Sequence, residues 1–567
     1  MKYSELCEVY EEIGGTTKRL EKTEILSKFL KKVGSGDKDA LYLFLGSVFP
    51  ATSQSEIGIS EQTIIKVIAK VSGESEEYIV KEWKKLGDLG EVAGAVIGKR
   101  KQSSLFNKEL TTERVIKELR MLCEFEGKGT VGKKIDLIAS LLSDSRGVEA
   151  KYTVRILLAD LRIGIKESTI RDAIAKAFFG DDSEKIKEAA AKIQGAYDLH
   201  PDIALVFEHA KKGIKELEKI SLIAGTPIKA MLAQKVVSIA EGFETVGKPA
   251  AFEYKYDGFR LIISKDEKGK VDLFTRRLEN VTKQFPEVAE YAKKHVHGRT
   301  FVIDCEAVGF DPKTKRYLPF QSISQRIKRK YEIEKMTKDF PVEANVFDIL
   351  MLNGKNYLNE PFEERTKLLR KIVKNEKYKI VCAKQLITDS EKKAKEFFEC
   401  ALEDNQEGVM IKNLEGIYKP GSRVGYMVKL KPEHRDLDLV IVGAEYGTGK
   451  RGGWMSSFVL ACRDEESGDF LEVGRVGTGI KEKVELGVSF EELTELLKPL
   501  IIESSGKDVF VKPKIVVSVI YQEIQKSPTY SSGYALRFPR VTALRLDKPV
   551  SEINSLENIE REYGKQK

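Results

Sequence analysis

The sequence predicts a multidomain protein: an all-α N-terminal region, an α+β core and a small C-terminal β-barrel. Three observations carry this reading. Apolar residues recur at helical spacing through the first part of the chain, where strand-like alternation is nearly absent. From Phe252 onward, short β-branched and aromatic runs are interrupted by helical ones. After Glu433, strand-like runs are separated by Gly-rich turns. With 567 residues and roughly 150 per domain, three or four domains are expected. The predicted borders are 1–224, 225–432 and 433–567.

In the first region Ile25, Leu26, Phe29, Leu30 and Val33 mark one helix, and Ser183 precedes the helix-rich run 184–193. Gly225-Thr226-Pro227 breaks the pattern and ends the region. The core then offers strand-like runs at 252–264, 271–276, 301–308 and 344–350, with helical patterns at 362–373 and 390–403. The last region has runs at 437–443, 457–462, 470–474 and 515–521, and one helical stretch near 489–500. Several short strands in so small a region suggest a barrel.

Hydrophobic residues make up 41% of the chain, enough to fill real cores and to exclude wholesale disorder. No apolar run approaches the ~18–20 residues that cross a bilayer. The opening residues lack an apolar signal core, so a cytoplasmic protein is expected. The 6 cysteines are scattered without a Cys-x-x-Cys pair, which argues against structural zinc and a disulfide framework. His295 and His297, beside Lys293, Lys294 and Arg299, read as solvated loop residues. The net charge of +8 is mild for this length and names no polyanionic partner by itself. Abundant Lys and Glu together are a feature of heat-adapted proteins.

Two motif matches fail on context. Gly447-Thr-Gly-Lys-Arg-Gly fits the dinucleotide pattern, but the run after Trp454 looks like a strand, so the anion-binding helix end is missing. His434-Arg-Asp-Leu resembles a kinase catalytic loop, yet Ile441 stands where Asn is required and no Asp-Phe-Gly follows.

The informative segment is Glu253-Tyr-Lys-Tyr-Asp-Gly-Phe-Arg. On a strand, Glu253, Lys255 and Asp257 share one face while Phe252, Tyr254 and Tyr256 take the other. Gly258 is expected to permit a turn that returns Arg260 to the same site. A lysine between two carboxylates is most often a surface ion pair; a downstream series sets this one apart. The series comprises Arg276 after Phe274-Thr275, Asp304 and Glu306 in Val302-Ile-Asp-Cys-Glu, Phe347 in Val346-Phe-Asp-Ile-Leu, and Glu407 and Lys412 in Gln406-Glu-Gly-Val-Met-Ile-Lys. It continues with Arg423 in Tyr418-Lys-Pro-Gly-Ser-Arg and with Lys429 and Lys431 in Val428-Lys-Leu-Lys.

In this order the segments resemble the nucleotidyltransferase motifs of ATP-dependent DNA ligases, of the archaeal and eukaryotic replicative branch. The resemblance reaches the last region through Glu523-Ile-Gln-Lys-Ser-Pro and Arg537-Phe-Pro-Arg-Val-Thr-Ala-Leu-Arg-Leu-Asp-Lys. It reaches the first through Leu157-Leu-Ala-Asp-Leu-Arg-Ile-Gly and Gly225-Thr-Pro-Ile-Lys-Ala-Met-Leu-Ala. It implies a helical DNA-binding domain, an adenylation domain and an OB-fold. It also implies three steps: Lys255 takes AMP from ATP, the adenylyl group passes to the 5′-phosphate of a nick, and the 3′-hydroxyl expels AMP.

A lysine nucleophile must lose its proton, so its pKa has to fall. Arg260, Lys429, Lys431 and a bound metal would lower it, while Glu253 and Asp257 oppose them. The resemblance implies that Phe347 stacks on adenine, that Glu253 lies beside the nucleoside, that Glu306 sits near the ribose or the metal, and that Arg260, Arg276 and Arg423 hold phosphate or ribose. Glu306 and Glu407 fit Mg²⁺, with Mn²⁺ as a substitute, because Mg²⁺ commonly takes one or two carboxylates plus waters and phosphates. Each residue also has a plain alternative: core packing for Phe347, a surface pair for Glu306, a solvated edge for Arg276–Arg277, and an exposed basic stripe for Lys412 and Lys429–Lys431. Met427 departs from the Trp that many relatives carry, so that stacking is either lost or supplied by Tyr426, and Thr275 replaces a common Ser.

Lys431, Lys450, Arg451, Arg475, Arg537, Arg540, Arg545 and Lys548 are candidate phosphate contacts to nicked duplex DNA. Asp547 and Lys548 match the family's last motif, which orients the leaving pyrophosphate. Gln102-Ser-Ser-Leu-Phe-Asn, with Gln102, Leu105 and Phe106 as anchors, resembles a sliding-clamp-binding peptide; a plain loop is the alternative. A monomer associated with the nucleoid is expected. An RNA ligase or capping guanylyltransferase shares the lysine chemistry, but the large helical region and the 523–528 segment argue against it. An inactive DNA-binding scaffold is opposed by the intact charged set.

Overall fold

In the computed structural model, the chain divides into two units, Met1–Lys431 and Pro432–Lys567. The structure describes all residues except 54, 56, 100–108, 126–128, 181, 319, 328–330, 433–435, 448–450, 452, 483–487 and 567. The anchors Gln102, Leu105 and Phe106, together with Lys450, lie outside the described residues.

The first unit begins with helices from Tyr3–Gly14 to Ile214–Leu217. Periodicity is the cause. In the helix Arg19–Lys32, Leu26, Phe29 and Leu30 are buried while Lys28 between them faces water. Helix Ser183–Leu199 is capped by the Asp182 carboxylate, which accepts from Glu184 N at 2.8 Å and Lys185 N at 3.2 Å. Ser183 is therefore the first helical residue and Asp182 the cap.

Two sheets follow. In the first, β1 (Leu232–Val236), β2 (Ala250–Lys255), β9 (Gln385–Thr388), β10 (Gly408–Asn413) and β11 (Arg423–Leu430) lie in the order β1-β11-β10-β2-β9. In the second, β3 (Phe259–Lys265), β4 (Val271–Thr275), β5 (Phe301–Gly309), β6 (Val342–Leu352) and β7 (Lys355–Asn356) lie in the order β4-β3-β5-β6-β7, with β8 (Ile380–Cys382) parallel to β6. The run read as 252–264 is thus two strands, broken at Tyr256–Gly258, and the break carries the chain from one sheet to the other. Tyr254, Tyr256 and Phe252 pack into the core beside Phe243 and Val409.

The second unit is strand-rich, as its texture predicts. Its strands are β12 (Leu437–Tyr446), β13 (Met455–Arg463), β14 (Phe470–Val476), β15 (Ile501–Ser505), β16 (Asp508–Val511), β17 (Val516–Ile520), β18 (Glu523–Lys526), β19 (Tyr534–Arg537) and β20 (Arg540–Leu544). A register shift between Ile441 and Gly443 bends β12, so its first half pairs β17 and its second half β16. The residues after Trp454 form β13, which disposes of the dinucleotide reading.

One histidine differs from expectation. His295 ends the helix Pro286–His295 and is 3% exposed, with Glu376 at 3.3 Å. Its helical phase turns it inward on the face of Val288 and Ala292, away from the exposed Lys293 and Lys294, while His297 remains exposed. Among the described residues, no helix is long and apolar enough to cross a membrane.

Candidate active site

The break after β2 brings the charged series together at the mouth between the two sheets of the first unit. A cavity of about 560 Å³ opens there, lined by Glu253, Lys255, Arg260, Arg276, Glu306, Phe347, Lys412, Arg423 and Lys429, among others. That volume lies within the ~300–1,000 Å³ usual for small-ligand sites. Leu232, Ala233, Phe320, Ile327, Met410 and Met427 add apolar walls.

Gly258 is required for a reason other than the expected turn. Its φ is not positive, but a Cβ there would sit 2.3 Å from the Ala307 carbonyl oxygen of β5. Only a residue without a side chain lets the chain pass so close to β5, and this passage seats Arg260 opposite Glu306 in the ladder.

Lys255 Nζ lies 2.9 Å from the Glu407 carboxylate, which also pairs with Lys431. Burial depresses the Lys255 ammonium, but Glu407, Glu306 and Asp257 outweigh it and its pKa is raised. The expected fall is therefore not built into the residues around the amine. The carboxylates, rather than the cations, dominate its surroundings. Glu407 responds in kind: burial opposes its charge, yet Lys255 and Lys431 hold it at about 2. Lys429 is lowered by burial and by its cationic neighbours Lys255, Lys431 and Arg423.

Glu306 is pushed up to about 7, chiefly by burial, with Lys255 and Arg260 pulling the other way. It lines the cavity, and the negative charge of Glu407, which is not among the lining residues, adds to the rise. Among the described residues, no group of three or more His, Cys, Asp and Glu side chains could hold a metal ion. Two carboxylates fit a magnesium ion that keeps waters and takes the rest of its oxygens from phosphates.

Arg260 is more engaged than the sequence suggests. Its Nε and Nη2 donate to Asp304 at 2.9 and 2.5 Å, and Nη1 donates to the Met231 carbonyl at 2.6 Å. Tyr418 Oη donates to Asp304 at 2.7 Å, closing the cluster. Asp304 outweighs the burial that opposes the Arg260 charge, and the guanidinium pKa is raised. The guanidinium carbon lies 5.4 Å from the centre of the Phe347 ring.

Phe347 is half-buried, whereas Asn345, Val346, Asp348 and Ile349 around it on β6 are buried. A residue placed only for core packing would share their burial; this ring faces the cavity. Glu253, 2% exposed, forms the floor, with Lys412 Nζ at 2.6 Å. Burial raises the Glu253 pKa against the pull of Lys412. Behind Phe347, Arg365 Nε donates to Asp348 at 2.8 Å in a buried pair. Arg276 and Arg423 are exposed at the cavity rim.

Asp257, 8% exposed, opposes the loss of the Lys255 proton as its charge predicts, and its N–H donates to Gln406 Oε1 at 3.2 Å and so ties the turn to the residue before Glu407. In the second unit, Arg537 pairs with Glu523 at 3.1 Å, Arg540 is exposed, Asp547 pairs with Arg545 at 2.8 Å and Lys548 with Asp438 at 2.7 Å. The bracing by Tyr418, Arg365, Thr366 and Gln385 has no local sequence signal, because each pairs with a residue on another element.

Comparison with known proteins agrees with the geometry. The models described as DNA ligase N terminus, ATP dependent DNA ligase domain and ATP dependent DNA ligase C terminal region match residues 2–175, 230–431 and 451–548. A DNA ligase of Nanoarchaeum equitans (strain Kin4-M) is 44% identical over 571 residues, covering 100% of this chain and 99% of that protein. A DNA ligase of Thermococcus fumicolans is 40% identical over 570 residues, with 100% and 99% covered. The solved structure "Pmar-Lig_Pre." shares the fold with a TM-score of 0.59 at 18% identity, over 95% of this chain and 98% of that one. The chain belongs to the ATP-dependent DNA ligase family.

Proposed function

We propose that this protein seals nicks in duplex DNA through a covalent lysyl-AMP, with Lys255 as the nucleophile. The observation that carries the reading is the Lys255 amine in a cavity that also presents Glu253, Phe347, Glu306 and a rim of cations. The neutral Lys255 Nζ attacks the α-phosphorus of ATP; an N–P bond forms, the bond to the bridging oxygen breaks and pyrophosphate leaves. An oxygen of the nick's 5′-phosphate then attacks the same phosphorus and releases Lys255. The 3′-hydroxyl finally attacks the activated 5′-phosphate, its proton is lost to solvent, and AMP departs.

Phosphoryl transfer needs positioning and charge neutralisation more than proton chemistry. Phe347 and Met427 sandwich the base, Glu253 faces its edge, and Arg260, Arg276, Arg423, Lys429 and Lys431 hold ribose and phosphates. When bound at Glu306 and Glu407, Mg²⁺ or Mn²⁺ supplies positive charge against these carboxylates and the phosphate oxygens. Asp547, Lys548, Arg537 and Arg540 serve pyrophosphate or DNA, and Lys412 supports Glu253. The working domains are 1–224 on DNA, 225–432 in adenylation and 433–567 as the OB-fold. The protein acts as a monomer at the nucleoid and meets a sliding clamp through Gln102, Leu105 and Phe106.

The test is covalent labelling. With α-labelled ATP and Mg²⁺, label stays on the protein through a denaturing gel, chases onto nicked DNA, and is absent in Lys255→Ala. A labelled Lys255→Ala band, or label from GTP alone, contradicts the reading.

A further inference from the structure

Glu253 is a buried carboxylate whose two oxygens are held by different elements. Oε2 takes the Lys412 ammonium at 2.6 Å, from β10. Oε1 accepts from Gln385 Nε2 at 2.8 Å, from the first residue of β9, directly opposite Glu253 in the ladder. The same amide nitrogen donates to Thr366 Oγ1 at 3.2 Å, on the helix Phe362–Ile372, where Thr366 is 3% exposed.

An amide nitrogen has two hydrogens. Gln385 spends one on Glu253 and one on Thr366; flipping the amide would set its oxygen against the Glu253 carboxylate, two acceptors face to face, so the Glu253 bond fixes the amide's orientation. Glu253 is thereby held from two sides, and it lines the cavity together with Phe347, Met410 and Met427. An ionised carboxylate only accepts hydrogen bonds. A flat group in this slot must therefore bring a donor to its edge.

We propose that Gln385, braced by Thr366, is a positioning residue for nucleobase selection: it locks Glu253 to accept a hydrogen bond from the exocyclic amine of adenine. This rests on the reading that the cavity holds ATP. A site built to pair with a donor rejects an analogue lacking it far more strongly than an apolar pocket rejects a change of shape. Without Gln385 the carboxylate turns toward Lys412, and the preference shrinks while the slot itself survives.

The experiment compares rates of covalent labelling of the full-length protein by ATP and by purine riboside 5′-triphosphate, which lacks the amine. Gln385→Met keeps the volume and removes both donors; Gln385→Ala is the second variant. In both, the preference for ATP is expected to fall about tenfold, as loss of one hydrogen bond to a charged group implies. The change should sit in the KM for ATP, with the rate from the analogue within about threefold of wild type. An equal fall for both nucleotides assigns Gln385 a merely structural role and overturns the proposal, as does an unchanged preference. Glu253→Gln separates the two readings. Preference lost there but kept in both Gln385 variants overturns only the positioning role; preference kept in all three, or no labelling of the wild type, overturns the nucleotide reading itself.

Discussion

Burial and charge pull Lys255 in opposite directions, and charge wins. Glu407 at 2.9 Å favours the protonated amine, so engaging those carboxylates elsewhere favours the neutral, attacking Lys255. The motif was legible because the residue types and their order lie within a few positions of one another. The outcome of the tug was not, because it depends on Glu407, far away in sequence, arriving through the β2–β10 ladder. Gly258 shows the same limit. Its presence was legible, but its cause is a carbonyl of β5 that no local pattern reveals. Gly258→Ala should cost about 1–3 kcal/mol, the usual penalty for overpacking. Hydrogen exchange of the intact protein should then speed up in β2, β3 and β5, while unchanged exchange there would show that the backbone yields freely.

Elements were read best where periodicity alone decides them. The helices 362–372 and 391–403 and the strands β4, β5 and β6 fall on their predicted runs. Boundaries set by a single hydrogen bond were harder. Asp182 and Ser183 are both good caps, and only the bonds to Glu184 N and Lys185 N select Asp182. Asp182→Ala is expected to cost about 1 kcal/mol. Amides of the first turn should then exchange roughly fivefold faster, since 1.4 kcal/mol is about tenfold, and Ser183→Ala should leave them alone. Faster exchange in Ser183→Ala instead would return the cap to Ser183. Short edge strands such as β8 and β9 were missed because three or four residues are too few to show alternation. That omission concealed Gln385.

The whole molecule follows from texture. Helical periodicity, then mixed runs, then short strands are three ways of hiding apolar surface; three cores keep to those regions, while a fourth carries Leu222 of the helical region in among Ile228, Met231 and Ile262 of the next. A net charge of +8 is too small to advertise a polyanion, so the DNA partner was legible only through resemblance. A nick-sealing enzyme must hold any sequence, and phosphate contacts make affinity salt-sensitive. Its Kd for nicked duplex should rise at least about tenfold from 50 to 200 mM salt, while two unrelated sequences stay within about twofold of each other. A strong sequence preference that survives high salt would argue for base readout instead. The covalent step takes place at one atom, Lys255 Nζ, which mass spectrometry can read. Peptides from the ATP-treated protein should carry one adenylate on Lys255; an adenylate on another residue, or none under conditions where nicks are sealed, would contradict the account.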